Sequence, residues 1–191
     1  MSLKARMIAQ LAERSWKLGS ESHRTRTLAT WSDEMKVYIA SSWKNALLVR
    51  ALAMELRKLG HEVYDFTDPE NFIDGVDGFA FDAIDVVGKP RNEIDWLEFS
   101  QTPEAQLSCD TDKAGLDWSE ILILLLPCGR SAHLEAGIAF GQGKPVIIYG
   151  DLPPGEFECI YNLTPHRYSS TERHKVVEAM SHSLMEGEEH G

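Results

Sequence analysis

No stretch of this chain approaches the roughly 18 consecutive apolar residues that a membrane-spanning helix needs, and its first residues lack the apolar core of a secretory leader. Cysteine is scarce: Cys109, Cys128 and Cys159 are odd in number and widely spaced. Such a set makes a poor disulfide framework, so a cytoplasmic protein with reduced thiols is expected. Cations are also in short supply, with 19 Lys and Arg against 30 Asp and Glu and a net charge of −11. General nucleic-acid binding draws on clustered basic side chains and is therefore not expected. The seven histidines form no HxxxH or HExxH pair, and Asp74-Gly75-Val76-Asp77-Gly78 lacks the alternating ligands and closing Glu of a calcium loop, so no metal site is expected. Neither a Walker A loop nor Gly-x-Gly-x-x-Gly follows any apolar run, which argues against ATPase and dehydrogenase chemistry and leaves no cofactor to expect. A small anionic ligand stays compatible with the charge, because backbone N–H groups at a helix start hold phosphate without a basic surface.

What is present suits one domain with an appendage. Hydrophobic residues make up 43% of the 191 positions, enough for a core. Residues 1–34 read as a helical extension and linker. Leu3, Met7 and Leu11 are weakly periodic, and Lys4, Arg6, Arg14, Lys17, Arg24 and Arg26 make the segment basic. It is expected either to pack on the domain or a second subunit, or to serve as a basic arm for a partner.

From residue 35 to residue 187 the chain alternates strand and helix. Lys36 to Ala40 is a buried strand, and Ala46 to Leu59 repeats Leu48, Leu52, Leu56 and Leu59 at helical spacing before Gly60. His61 to Phe66 is a second strand, so the unit is a right-handed βαβ crossover. Residues 68–90 are acidic, aromatic and aperiodic, and read as a partly ordered flap over a site. Asn92 to Phe99 and Thr102 to Trp118 read as core-facing helices, the second opened by Thr102-Pro103. Ile121 to Leu126 and Val146 to Tyr149 are buried strands. Phe157 to Leu163 is a short edge strand or an ordered loop, and Thr171 to Met185 a final amphipathic helix. The pattern predicts a flavodoxin-like α/β fold: an open sheet of four or five parallel strands with helices on both faces.

Between the last two long apolar runs lies a helix carrying one carboxylate, Glu135, with Ser131 as expected N-cap. In a parallel sheet, ligands bind beyond the carboxyl ends of the strands, which is where this helix begins. An acid at a helix start also simply offsets the macrodipole, so position alone leaves both readings open. The small residues Ala136, Gly137 and Ala139 suit close approach by another group. A carboxylate there can attack an electrophilic sugar carbon, provided a second acid protonates the leaving group or holds the sugar. Asp112 and Glu120 are the candidates for that second role, each with a solvated-surface alternative. Ser41, Ser42 and Lys44 in the turn after the first strand can hold sugar or phosphate, and Trp43 can stack on a base or pack in the core. Ser131 and His133 are expected to line the same pocket. Cys128 with His133 is a weaker alternative, a thiol–imidazole pair at a helix start.

Tyr38-Ile39-Ala40-Ser41, Glu135-x-Gly137-x-Ala139, Gly143-Lys144-Pro145-Val146 and the eight-residue spacing of Asp112 and Glu120 together resemble the nucleoside 2-deoxyribosyltransferase superfamily, which includes the deoxynucleotide N-glycosidases. The resemblance spans roughly residues 35–150. It implies a flavodoxin-like sheet, Glu135 as nucleophile at the sugar C1′, and a site completed by a neighbouring subunit, for which Tyr161 and Asn162 are candidates. The chain departs from the family in its Ser41-Ser42-Trp43-Lys44-Asn45 turn, where members with phosphorylated substrates often have glycines, and in Glu120, where an Asp is usual. NAD-cleaving Toll/interleukin-receptor domains share the sheet type and a helix-borne Glu. The expected function is cleavage or transfer of an N-glycosidic bond in a nucleoside, nucleotide or NAD-like small molecule by a homodimer or larger homo-oligomer. The rival expectation is a non-catalytic module that senses a nucleotide.

Overall fold

The computed structural model describes residues 34–68 and 88–181. Residues 1–33 of the expected N-terminal extension, residues 69–87 of the expected flap over 68–90 and the end of the final helix lie outside the described residues. Five strands make one parallel sheet: β1 (Lys36–Ala40), β2 (Glu62–Tyr64), β3 (Ile121–Leu125), β4 (Val146–Tyr149) and β5 (Arg167–Tyr168). Their order is β2-β1-β3-β4-β5, so the strand order reverses between β1 and β3. This is the flavodoxin-like order, with its ligand crevice expected beyond the carboxyl ends of those two strands.

The strands are apolar on both sides because helices cover both sides. Val37, Ile39, Ile121, Ile123, Leu125 and Ile147 point to one face and pack on α1 (Ala46–Lys58) and α5 (Arg173–Ser181) through Leu52, Leu56, Val176 and Met180. Tyr38, Ala40, Leu122, Leu124, Val146 and Ile148 point to the other face and meet α3 (Pro103–Trp118) and α4 (Arg130–Gly141). Alternate residues of the same strands therefore feed two different interiors.

Local chemistry sets the boundaries. The Thr102 hydroxyl accepts from the Ala105 amide, and Pro103 opens α3 at a position that needs no amide donor. Gly150, at φ +114°, ends β4 where a Cβ would stand 2.6 Å from the Leu126 carbonyl oxygen, so only glycine fits that approach. One expectation is corrected. The segment expected as a core-facing helix over residues 92–99 is a 3₁₀ turn at Arg91–Glu93 followed by the short α2 (Trp96–Ser100), which buries no residue and leaves Trp96 72% exposed. Of the two readings for residues 157–163, the ordered loop is the one observed, with a 3₁₀ turn at Ile160–Leu163, and the edge of the sheet is β5. No helix among the described residues is long and apolar enough to cross a membrane.

Candidate active site

Two tyrosines at paired positions of neighbouring strands form the floor of the site. Tyr38 of β1 lies in register with Tyr64 of β2, and their rings stack with centroids 4.8 Å apart and planes 13° from parallel. Above them runs α3, which can come this close because residue 115 is glycine. A Cβ there would sit 3.1 Å from Tyr38 Cε2 and from Tyr64 Cδ2 and Cε2. One turn earlier on α3, Asp112 reaches the phenol tips, and the Tyr64 hydroxyl donates to its Oδ1 at 3.1 Å.

Glu135 approaches the same tips from α4. That helix begins at Arg130 with Gly129 as its N-cap, so Ser131 lies exposed inside the first turn and caps nothing, contrary to expectation. Glu135 is consequently the sixth helical residue. The first turn of α4 carries no acidic residue, which removes macrodipole compensation as the reason for an acid at residue 135. Ala132, Ala136 and Ala139 form the buried stripe of α4, and Glu135 shares their side at helical spacing. Gly137 has open space where its Cβ would be, so the close approach expected at that residue occurs at Gly115 instead.

Burial dominates the electrostatics. Glu135 is pushed up to about 7, first by desolvation and then by the negative charge of Asp112, with the Tyr38 hydroxyl acting in the opposite direction. Asp112 is raised by burial against the hydrogen bonds that Tyr64 and Tyr38 offer its ionised form. The phenols are held above their ordinary value by burial and by these carboxylates, so they stay protonated and act as donors. The two raised carboxyl groups are coupled beside two fixed donors, and the charge of Asp112 is part of what resists ionisation of Glu135.

The other expected site residues are placed differently. Glu120 stands at the amino end of β3, where its carboxylate accepts from the Lys36 amide and its own amide donates to the Lys36 carbonyl. It secures the opposite edge of the sheet and is not brought to Glu135. Ser41 does lie at the carboxyl end of β1, but its hydroxyl donates to the Leu125 carbonyl at 2.8 Å and accepts from Asn45, which also bonds the Pro127 carbonyl at 2.7 Å. These bonds tie the turns after β1 and β3 across the switch point, so Ser41 is a latch of the fold. The Ser42 hydroxyl accepts from the Lys44 amide and caps the 3₁₀ turn Trp43–Asn45. Lys44 is exposed, and Trp43, 54% exposed, meets Phe66 edge-on, so it is outside the core.

His133 faces away from the carboxylate pair into a cavity of about 280 Å³ bordered by the turn after β3 and the loop after β4. Its Nε2 is 2.6 Å from the Tyr161 hydroxyl, and the two rings stack. Tyr161 therefore acts within its own chain at this point. Cys128 connects the two compartments: it lines the cavity, and the charge of Glu135 adds to burial in pushing its thiol up to about 12. The fold does bring Cys128 Sγ to 3.5 Å from His133 Nδ1, but a thiol held neutral by burial is a poor nucleophile. Among the described residues, no group of three His, Cys, Asp or Glu side chains is placed to hold a metal ion.

Tyr38, Tyr64 and Gly115 are the residues that motif reading missed as site members. A signal existed: each tyrosine is a polar-tipped residue within a short apolar strand, and Gly115 interrupts a helix that otherwise lacks glycine. No family model matches the chain, and neither a curated protein nor a solved structure does.

Proposed function

We propose that the protein cleaves or transfers an N-glycosidic bond of a nucleoside or nucleotide, with Glu135 as nucleophile and Asp112 as its acidic partner. The observation that carries this reading is the pair of partly buried carboxyls, both raised, converging on the Tyr38 and Tyr64 hydroxyls. Ionised Glu135 attacks the anomeric carbon, the carbon–nitrogen bond breaks, and its electron pair departs with the base. Asp112 positions the sugar, and the departing nitrogen takes its proton from solvent. Water then hydrolyses the glycosyl ester, or a second base takes the sugar. Tyr38 and Tyr64 hold the two carboxyls apart in role by donating to whichever is ionised.

The same reading places the reaction in the cytoplasm and assigns the resemblance to deoxyribosyltransferases to common chemistry. It takes a nucleoside, nucleotide or NAD-like substrate and a homodimer or larger homo-oligomer. The test is chromatography of free base after incubation with deoxynucleosides, their monophosphates and NAD. Release by the wild type, its loss in Glu135→Gln, and a sugar adduct on Glu135 from a 2-fluoro analogue are expected. Absence of release across the panel, or equal release by Glu135→Gln, sinks the reading in favour of a nucleotide-sensing module.

A further inference from the structure

The cavity beside His133 is separate from the carboxylate pair yet near it, since Cys128 lines the cavity and feels the charge of Glu135. Its polar wall has a definite hydrogen-bonding sense. His133 Nδ1 lies 2.8 Å from the Gly129 carbonyl oxygen, which can only accept, so Nδ1 carries the ring proton. In the neutral ring Nε2 then accepts, and the Tyr161 hydroxyl spends its proton on it at 2.6 Å. What Tyr161 leaves for a ligand is the lone pairs of its oxygen.

The carboxylates of Glu156 and Glu158 also line the cavity and are exposed; Glu158 already accepts from the Ile160 amide. No lysine or arginine lines the cavity among the described residues. The side chains of the wall thus offer mainly acceptors, and the weak Cys128 S–H is already within reach of His133, its Sγ 3.5 Å from Nδ1 and 4.0 Å from Nε2. Pro153 and Phe157 add apolar surface, and Phe157 is 90% exposed, free to cover the face of a ring. A volume of about 280 Å³ suits a one- or two-ring heterocycle. Larger, drug-sized ligands fill sites from about 300 Å³ upward.

We infer that this cavity binds an amino-substituted purine or pyrimidine, whose exocyclic N–H groups meet Tyr161, Glu156 and Glu158. An oxo-substituted ring would turn lone pairs toward lone pairs, and a phosphate would meet two carboxylates. The inference rests on the proposed glycosidic reading in taking the ring to be the base that leaves the sugar.

Binding of free bases to the full chain carrying Glu135→Gln, followed by calorimetry or ligand-observed NMR, tests it in matched pairs. Adenine is expected to bind at least about 10-fold tighter than hypoxanthine, and cytosine than uracil, the factor of one lost charge-assisted hydrogen bond. Glu156→Gln with Glu158→Gln, both at exposed positions that leave the core intact, should shrink the preference below about 3-fold, and Tyr161→Phe should weaken the amino-substituted partner selectively. Equal binding within each pair, no binding of any base, or a preference that survives the double substitution overturns the assignment. Base release by the wild type without amino preference would sink the cavity while sparing the glycosidic reading. Selective binding with no release from any substrate would do the reverse.

Discussion

The two faces of the sheet share their strands and differ in everything that covers them. On the α1 and α5 face, Val37, Ile39, Leu52, Leu56 and Ile147 pack an apolar interior in which the polar member, His61, is held by the Met35 amide and the Met180 carbonyl. On the α3 and α4 face, two stacked tyrosines, a glycine and three alanines accommodate Asp112 and Glu135. One face maximises burial of apolar surface. The other gives up large aliphatic contacts for close helix approach and keeps two carboxyls partly out of water, at a cost in stability.

If the division holds, substitutions on the two faces should separate activity from stability. Glu135→Gln should lower base release by about 10³-fold or more, measured as kcat/KM, because it removes the attacking oxygen. Its thermal midpoint above pH 7 should be unchanged or higher, since a charge no longer needs to be buried. A lowered midpoint with retained activity would reverse the roles of the faces. Leu52→Ala, by contrast, should destabilise by about 2–5 kcal/mol in denaturant titration while leaving kcat within a few-fold. Leu52 is buried against the opposite face and touches neither carboxyl.

Gly115→Ala probes the seam between the two properties. The added methyl meets both tyrosine rings at 3.1 Å, so the rings or α3 must shift. A cost of about 1–3 kcal/mol is expected from overpacking. Activity should fall by about 10-fold or more as Asp112 is displaced, and a fully active variant would show that the Tyr64–Asp112 contact is dispensable.

The smallest effects are in pH, and the faces should differ in sign. The Glu135 carboxyl has a folded value of about 7 against an ordinary 4.5, so its contribution to stability is complete below 4.5 and is lost as pH rises through 7. Asp112 acts in the same direction. Burial lowers His61 from 6.5, so its contribution is complete above 6.5 and is lost as pH falls through the lowered folded value. Denaturation midpoints of Glu135→Gln should therefore decline less than wild type from pH 5 to pH 8, and those of His61→Gln should decline less below pH 6.5. Each slope is bounded by about 1.4 kcal/mol per pH unit and per group. For activity the sign is opposite: kcat/KM should rise with pH through about 7 as Glu135 ionises.

Much of the fold was legible because burial on both faces leaves a local record. The continuous run Ile121 to Leu125 could only be a central strand, and Thr102-Pro103 marked the start of α3. The candidate site was legible in part. Glu135 stood out by its place after β3 and its small neighbours, and Asp112 by its spacing from the next strand. That same spacing misled at Glu120, because eight residues of α3 and its exit reach from the carboxyl edge of the sheet to the amino edge. Ser41 shows a related limit: it lies at the expected strand end, but sequence gives no sign that the partner strand brings the Leu125 carbonyl to its hydroxyl.

By itself, the sequence determined the alternation of strands and helices, the parallel sheet that this alternation implies and the helix-borne acid, because periodicity and turn chemistry act over a few residues. Tertiary structure alone decided which groups meet. Tyr38 and Tyr64 became neighbours through β1–β2 register, and Asp112 reached their hydroxyls because Gly115 lets α3 descend. Glu135 became a partly buried acid raised to about 7 only when α4 turned it toward that pair. Desolvation and charge proximity depend on distance through space, and the linear chain does not record it.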